Sequence, residues 1–436
     1  MKVLIIFPFV VSLSNHEKTF FSILLGRPEF AKGETMGGKI LCKGYVILVA
    51  LLFCSLTLGA PAWAAESASG PIKIGVIHPY SGPLAKIGEN ATNGFKLYLD
   101  EIGNQVAGRK IELILEDTEA KPAVGVTKVR KLVERDRVHL LTGITSSGVA
   151  YAVRDYVHNN KAPLIIMGSA GASDLTAERK SPYIFRTSFT NRQFNAPFGW
   201  YAAKKLGYKR VILMASDFVT GKEQALAFRQ LFEAQGGKVV REIYPALGTT
   251  DFAPYLAQIK PGETDAVWAM FFGSDAIRFV AQYKEYGLQN RVPLLGSAGL
   301  TEVTLLPPMG DSAIGILTPT WYTSALDNPE NRAMSRLYQE KYREEASEVV
   351  SSAYIAAVAI VKALEAVGGR AEDTPRFLEA LRKVQFNSPQ GPFRFDENQN
   401  VVFSLYATRV ERAGGKLVRS VVEKIADNVD QFWTPK

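Results

Sequence analysis

The sequence predicts an α/β protein of two lobes, each a largely parallel sheet covered by helices. Three observations lead there. From Ile72 onward, short β-rich runs alternate with amphipathic stretches, as strands and covering helices do. The strand-like runs, counted with an antiparallel tail, are too many for one compact sheet. No Gly/Ser or Pro run interrupts the series, so short hinge segments rather than a flexible tether should join the lobes.

The front of the chain is set apart from this pattern. Residues 36–65 carry Lys39 and Lys43, an apolar run from Tyr45 to Leu58, and then Ala60-Pro61-Ala62-Trp63-Ala64-Ala65. The run is shorter than the roughly 20 residues of a bilayer-spanning helix, and Ala62-Trp63-Ala64 is a small-x-small site. This reads as a secretory signal peptide cleaved near Ala64 or Ala65. Cys54 follows Phe53 rather than a small residue, which disfavours lipidation. Residues 1–35 contain a second apolar run, Val3 to Leu13, without a cleavage site, and Met36 is read as the initiator.

Expected strands are Ile72–Ile77, Ile111–Glu116, Val138–Thr142, Leu164–Met167, Val211–Ala215, Lys238–Tyr244, Ala266–Phe271, Leu294–Gly296 and Ile314–Leu317. The first helix, Pro83–Gly103, repeats Leu84, Ile87, Ala91, Phe95, Tyr98, Leu99 and Ile102 at three- and four-residue spacing, with Pro83 where a first turn tolerates it. Further helices are expected at Ala123–Glu134, Val149–Asn159, Arg192–Leu206, Lys222–Gln235, Ser274–Tyr286, Asn331–Glu345, Ser352–Val367 and Pro375–Val384. The second lobe should begin near Asn191. In the tail, Pro392–Phe395, Val401–Arg409 and Lys416–Glu423 read as antiparallel strands, the last two parted by an Ala-Gly-Gly turn.

The 436 residues carry 51 Lys+Arg against 43 Asp+Glu, a formal charge of +8. Removal of residues 1–65 takes away 6 basic and 3 acidic residues and leaves 45 against 40, or +5. Both cysteines, Cys42 and Cys54, would leave with the signal. The exported product would then have no disulfide and no Cys-ligated metal. No second long apolar run follows, so a soluble exported protein is expected. The densest basic run, Lys128–Arg137, is interleaved with Glu134 and Asp136. It reads as a solvated helix face, and no nucleic-acid partner is expected.

The chemistry-bearing motifs are missing. His78, His139 and His158 fall on separate elements without metal-ligand spacing. Gly221-Lys222 is followed by Glu223 where a phosphate loop needs Ser or Thr, and neither Gly-x-Gly-x-x-Gly nor Gly-x-Ser-x-Gly occurs. The expectation is no cofactor, no metal and no enzyme.

In an open α/β sheet ligands bind beyond the carboxyl ends of the strands. The loops there are His78–Gly88, Gly143–Gly148, Gly168–Ser173, Ser216–Gly221 and Phe271–Asp275. Ser146 and Ser147 stand at a helix start, where backbone N–H groups favour an anion. Ala170 and Gly171 lie on a second small, hydroxylic loop that could grip the same carboxylate. From the other lobe Phe218, Thr220, Phe272 and Asp275 could close over the ligand, with Trp321 and Tyr322 after the last strand.

This ordered set resembles the periplasmic solute-binding proteins of ABC importers, in the branch known for branched-chain amino acids. It rests on Ile74-Gly75-Val76, Ser81-Gly82-Pro83 with Gly88, Gly143 with Ser146-Ser147, Ser169-Ala170, Pro182–Thr187, Asp217 with Gly221, Asp251-Phe252, and Gly391–Asp396. The resemblance implies a type I periplasmic binding fold: two Rossmann-like lobes, three hinge crossings and a ligand cleft between them. The first lobe would hold 71–190 and 323–387, the second 191–322 and 388–436. Ile87, Ser146, Ser147, Ala170 and Gly171 would belong to the ligand site, with Gly171 where a hydroxyl residue often stands. Amino-acid binders of this type place a carboxylate near Ala298 to meet the ligand ammonium. Ala298 cannot do so, and unless Asp275 substitutes, the ligand is expected to be a carboxylate without an amine, an aromatic acid suiting the four rings. The expected partners are a small-molecule ligand and membrane permease subunits, and the protein should act as a periplasmic monomer. Two other readings are a same-fold sensor domain for a signalling receptor and an exported hydrolase.

Overall fold

The computed structural model describes residues 70–82 and 84–435, together with a pair of two-residue antiparallel strands, Ile5–Ile6 and Phe9–Val10. The expected signal peptide, Met36 and both cysteines lie outside the described residues. Ala68–Lys436 forms one compact unit.

Within it the first sheet contains β1 (Ile72–His78), β2 (Gln105–Val106), β3 (Arg109–Asp117), β4 (Leu140–Gly143), β5 (Leu164–Ile166) and β6 (Ile184–Arg186). Their order is β2-β3-β1-β4-β5-β6, parallel throughout except for the short β2–β3 pairing. Connecting helices are α1 (Ala85–Glu101), α2 (Pro122–Arg130) and α3 (Ser147–Asn159). β1, β4, β5 and β6 are buried almost throughout, as strands covered on both faces must be, and so read as apolar runs.

The second sheet repeats the plan. After α4 (Asn191–Lys204) come β7 (Arg210–Ala215), α5 (Val219–Ala234), β8 (Lys238–Ile243), α6 (Ala253–Leu256), β9 (Ala266–Met270), α7 (Gly273–Glu285), β10 (Leu294–Gly296), α8 (Leu306–Met309) and β11 (Leu317–Thr320). The chain continues through α9 (Pro329–Tyr342), α10 (Glu348–Ala366), α11 (Thr374–Lys383) and the β12 (Phe386–Ser388)–β13 (Gly391–Phe393) hairpin. It then returns as β14 (Phe403–Ala413) and β15 (Lys416–Val429). The order is β8-β7-β9-β10-β11-β14-β15, with β14 and β15 antiparallel and joined by the two-residue turn Gly414-Gly415, both at positive φ.

In each sheet the parallel order runs 2-1-3-4-5 in chain order, so the loops diverge between β1 and β4 and again between β7 and β9. These are the switch points at which such sheets leave a crevice. Registers keep the carboxyl ends level: His78 beside Asp117, Ile77 beside Gly143, and Ala215 beside Met270.

Three crossings join the sheets: Thr187–Thr190, Trp321–Asn328, and the segment leading from α11 to β14. They meet in one aromatic cluster. Phe189 of the first lies 4.5 Å from Trp321 of the second, and Trp321 lies 5.8 Å from Phe403 at the end of the third. Gln193 ties α4 to the same place, donating to the carbonyls of Val401 at 2.6 Å and Val429 at 3.0 Å.

Several expectations change. The strand expected at Ile314–Leu317 lies at Leu317–Thr320, because Gly315 turns at φ +89 and Ile316 closes a turn onto Ala313. Ile184–Arg186 adds a strand. A long apolar segment does occur after residue 65. Among the described residues α10 alone is long and apolar enough to cross a membrane, yet 72% of that window is buried, and it is a core helix packed on α1.

Candidate functional site

The first switch point is built from β1, β4 and β5. His78, fully buried at the end of β1, pairs through Nδ1 with Thr145 Oγ1 at 2.9 Å, and its Nε2 has no partner among the described residues. Burial pulls its pKa down to about 3, so the ring is neutral. His139 and His158 are tied to Lys73 N–H and Ser181 Oγ, as structural histidines are.

Ser146 caps α3 with extended backbone but makes no side-chain capping bond. The N–H groups of the first turn therefore remain without helical acceptors. Ser147 is 7% exposed and its Oγ is likewise unpartnered. The Gly168–Ser173 loop lies directly alongside, since Met167 and Gly168 N–H both donate to the Gly143 carbonyl. Ala170 is buried in the same cluster as Ile144, Val149 and Ala150. A Cβ on Gly171 would stand 2.5 Å from Asn191 Oδ1 and 2.7 Å from the Phe189 ring, so no hydroxyl residue fits there. Ile87 is half-buried in the first turn of α1.

From the second sheet Phe218 and Thr220 are half-buried at the start of α5. Phe272 is half-buried at the start of α7, and a Cβ on Gly299 would lie 2.2 Å from its ring. The ring therefore rests on the Ser297–Thr301 turn beside Ala298, which is itself 5% exposed. Ser216 and Ser297, at the ends of β7 and β10, are buried, and their hydroxyls have no partner among the described residues. His78 and Ser216 head two of the loops that the sequence places at the ligand end, but neither they nor Ser297 are among its expected site residues.

Three of the sequence candidates have other employment. Asp275 is buried, but one oxygen accepts from Arg278 Nη2 at 2.5 Å and the other from Gly248 N–H at 2.7 Å. It is paired with Arg278 and caps the turn after β8, and is not a free acid for an ammonium. Trp321 packs in the crossing cluster with Phe189, Phe194 and Phe403, its Nε1 reaching Ser352 Oγ at 3.4 Å. Tyr322 is fully buried, with its hydroxyl 3.1 Å from Ser335 Oγ. Both belong to the hinge rather than to a ligand wall. Among the described residues no group of three His, Cys, Asp or Glu side chains is arranged to hold a metal. The basic run is charge-paired, with Lys128 2.8 Å from Glu116 of β3 and Lys131 3.0 Å from Asp136.

Two parallel sheets that face one another across three crossings, with unpartnered polar atoms at their carboxyl ends, match one family model, described as "Periplasmic binding protein", over residues 71–416. The chain belongs to the periplasmic binding protein family. This is a family of two-lobed substrate-binding proteins, not of enzymes. The chain is 33% identical over 356 residues to Leu/Ile/Val-binding protein homolog 6 of Brucella melitensis, covering 78% of this chain and 88% of that one. It is 40% identical to an ABC transporter substrate-binding protein from Sphaerobacter thermophilus, covering 83% and 99%, with a TM-score of 0.80. A solute-binding protein of an ABC transporter from Rhodopseudomonas palustris, in complex with 3,4-dihydroxy benzoic acid, is 32% identical, covering 83% and 99%, with a TM-score of 0.78. As a periplasmic binding protein the chain has the solute-binding role in an ABC importer, and its family places it in the periplasm.

Proposed function

We propose that this periplasmic binding protein captures an aromatic carboxylic acid between its lobes and delivers it unchanged to the permease subunits of its importer. One observation carries the choice of ligand. Where amino-acid binders of this family would set an acid, the chain has Ala298 and Gly299, with the Phe272 ring laid against them. Asp275 is already neutralised by Arg278. An ammonium closed into that corner would lack a counter-charge, at a cost of several kcal/mol. An aromatic ring would lose water there at no such cost.

In this reading the carboxylate is held by Ser146, Ser147 and the first-turn N–H groups of α3, with the backbone of Ala170 and Gly171 opposite. Ile87, Phe218, Thr220 and Phe272 enclose the ring. The lobes divide at 71–190 with 323–387 and 191–322 with 388–436, the signal is removed near Ala64 or Ala65, and the mature protein works as a monomer. The name of the Brucella relative points to aliphatic amino acids and the ligand of the Rhodopseudomonas protein to a benzoate. Ala298 and Phe272 favour the second.

A thermal-shift panel of benzoate, 4-hydroxybenzoate, short aliphatic acids and L-leucine tests this. A ligand at a hundred times its Kd adds about 2.7 kcal/mol of apparent stability. The benzoates should raise Tm and leucine should not. A shift with leucine alone would reject the ligand class.

A further inference from the structure

Glu223, which the sequence offers only as a misfit in a phosphate-loop pattern, occupies a place that joins the two halves of the site. It lies on α5, three residues beyond Thr220 and so on the second-lobe side. Its Oε1 accepts the N–H of Ser173 at 2.8 Å, and Ser173 ends the first-lobe loop that carries Ala170 and Gly171. Its Oε2 accepts from Asn191 Nδ2 at 2.8 Å. Asn191 is fully buried at the first crossing, its own N–H donates to the Gly171 carbonyl at 2.6 Å, and its Oδ1 accepts from Gln224 Nε2 at 2.9 Å. Two adjacent side chains of α5 thus hold the crossing, and one of them also holds the loop. The same carboxylate is the largest influence opposing the burial that pulls the Arg186 guanidinium down to about 10.

We propose that Glu223 is a positioning residue for ligand capture, clasping the first-lobe loop Gly168–Ser173 to the second lobe so that gripping the carboxylate and closing the lobes are one event. This rests on the ligand-binding reading of that loop. Glu223 does not touch the ligand. When the clasp forms, the Ser173 peptide is fixed, and with it the end of the loop that carries Ala170 and Gly171. A charge-assisted hydrogen bond to a backbone N–H is stronger than a neutral one, which suits a side chain that must order a small-residue loop.

The experiment compares the wild-type protein with Glu223→Ala and Glu223→Gln. Hydrogen exchange at saturating 4-hydroxybenzoate should show the amides of 168–173 exchanging faster in Glu223→Ala than in wild type, while β1, β4 and β7 exchange alike in both. Stopped-flow binding of 4-hydroxybenzoate should show an off-rate raised about tenfold with an on-rate within about twofold. Glu223→Gln, which keeps an acceptor for Ser173 but presents a second donor to Asn191, should fall between. Unchanged exchange across 168–173 overturns the proposal, as does an unchanged off-rate. Uniformly faster exchange across the whole fold would also overturn it, because Glu223 would then be a general stabiliser. If wild type binds L-leucine and not 4-hydroxybenzoate, the ligand class has failed and the same off-rate comparison is made with leucine.

Discussion

His78 has one ring nitrogen on Thr145 and the other unpaired, in a place closed on one side by Gly168. Because burial lowers its pKa to about 3, the unfolded chain binds a proton at pH 5 that the native protein does not. Stability should therefore fall as pH drops below the ordinary histidine value of 6.5, by about 1.4 kcal/mol per pH unit from this group, down to about pH 3. Half-buried Glu302 acts in the opposite sense: desolvation, with Glu348 adding to it, raises its pKa to about 7, so its contribution is lost as pH rises from 4.5 towards 7. Denaturant titrations of wild type and His78→Gln across pH 4 to 7 separate the two. The difference between the curves should rise with pH, and parallel curves would show that His78 titrates normally. Burial of this kind is a tertiary property. The sequence places His78 at a strand end, but the partner Thr145 is 67 residues away.

At the scale of elements, two residues that looked alike in sequence part company. Ser147 opens α3 with an unpartnered hydroxyl, whereas Trp321 is the meeting point of three crossings. Ser147→Ala should weaken 4-hydroxybenzoate binding severalfold and leave the Tm of the ligand-free protein nearly unchanged, since no hydrogen bond is removed. Trp321→Ala should cost about 3 to 5 kcal/mol of stability, as for any large aromatic truncated in a core. Equal losses of affinity and stability in Ser147→Ala would make it a structural cap. The same contrast marks what sequence could reach. Buried parallel strands such as Leu140–Gly143 and Leu164–Ile166 advertise themselves as apolar runs, and the loops after them follow from the fold class. The direction in which Trp321 points depends on Phe189 and Phe403, 132 and 82 residues away, and no local pattern records it. Asp275 was closer to legible, since Arg278 stands one helical turn on and takes its charge. Helix α10 begins at Glu348 rather than Ser352 because Ser347 caps it, accepting from Val350 N–H.

At the scale of the molecule, two sheets of like topology turn their carboxyl ends towards a common cleft, and all three connections pass through one aromatic cluster. Connections that meet at one place are the arrangement that hinge closure of two lobes uses. The second crossing is also held by a buried ion pair between Arg419 and Glu348, which Thr320 Oγ1 joins at 2.9 Å. In the proposed function, closure is the step that takes a small acid out of water. In the proposed site the chemistry of the cleft decides which acid, since Ala298, Gly299 and Phe272 would leave a ligand ammonium without a carboxylate. The most direct test is isothermal calorimetry of the ligand-free protein with 4-hydroxybenzoate and with L-leucine under the same conditions. Saturable binding of the benzoate with a negative heat-capacity change, and no heat from leucine, is the predicted result. Tight binding of leucine with none for the benzoate would contradict it.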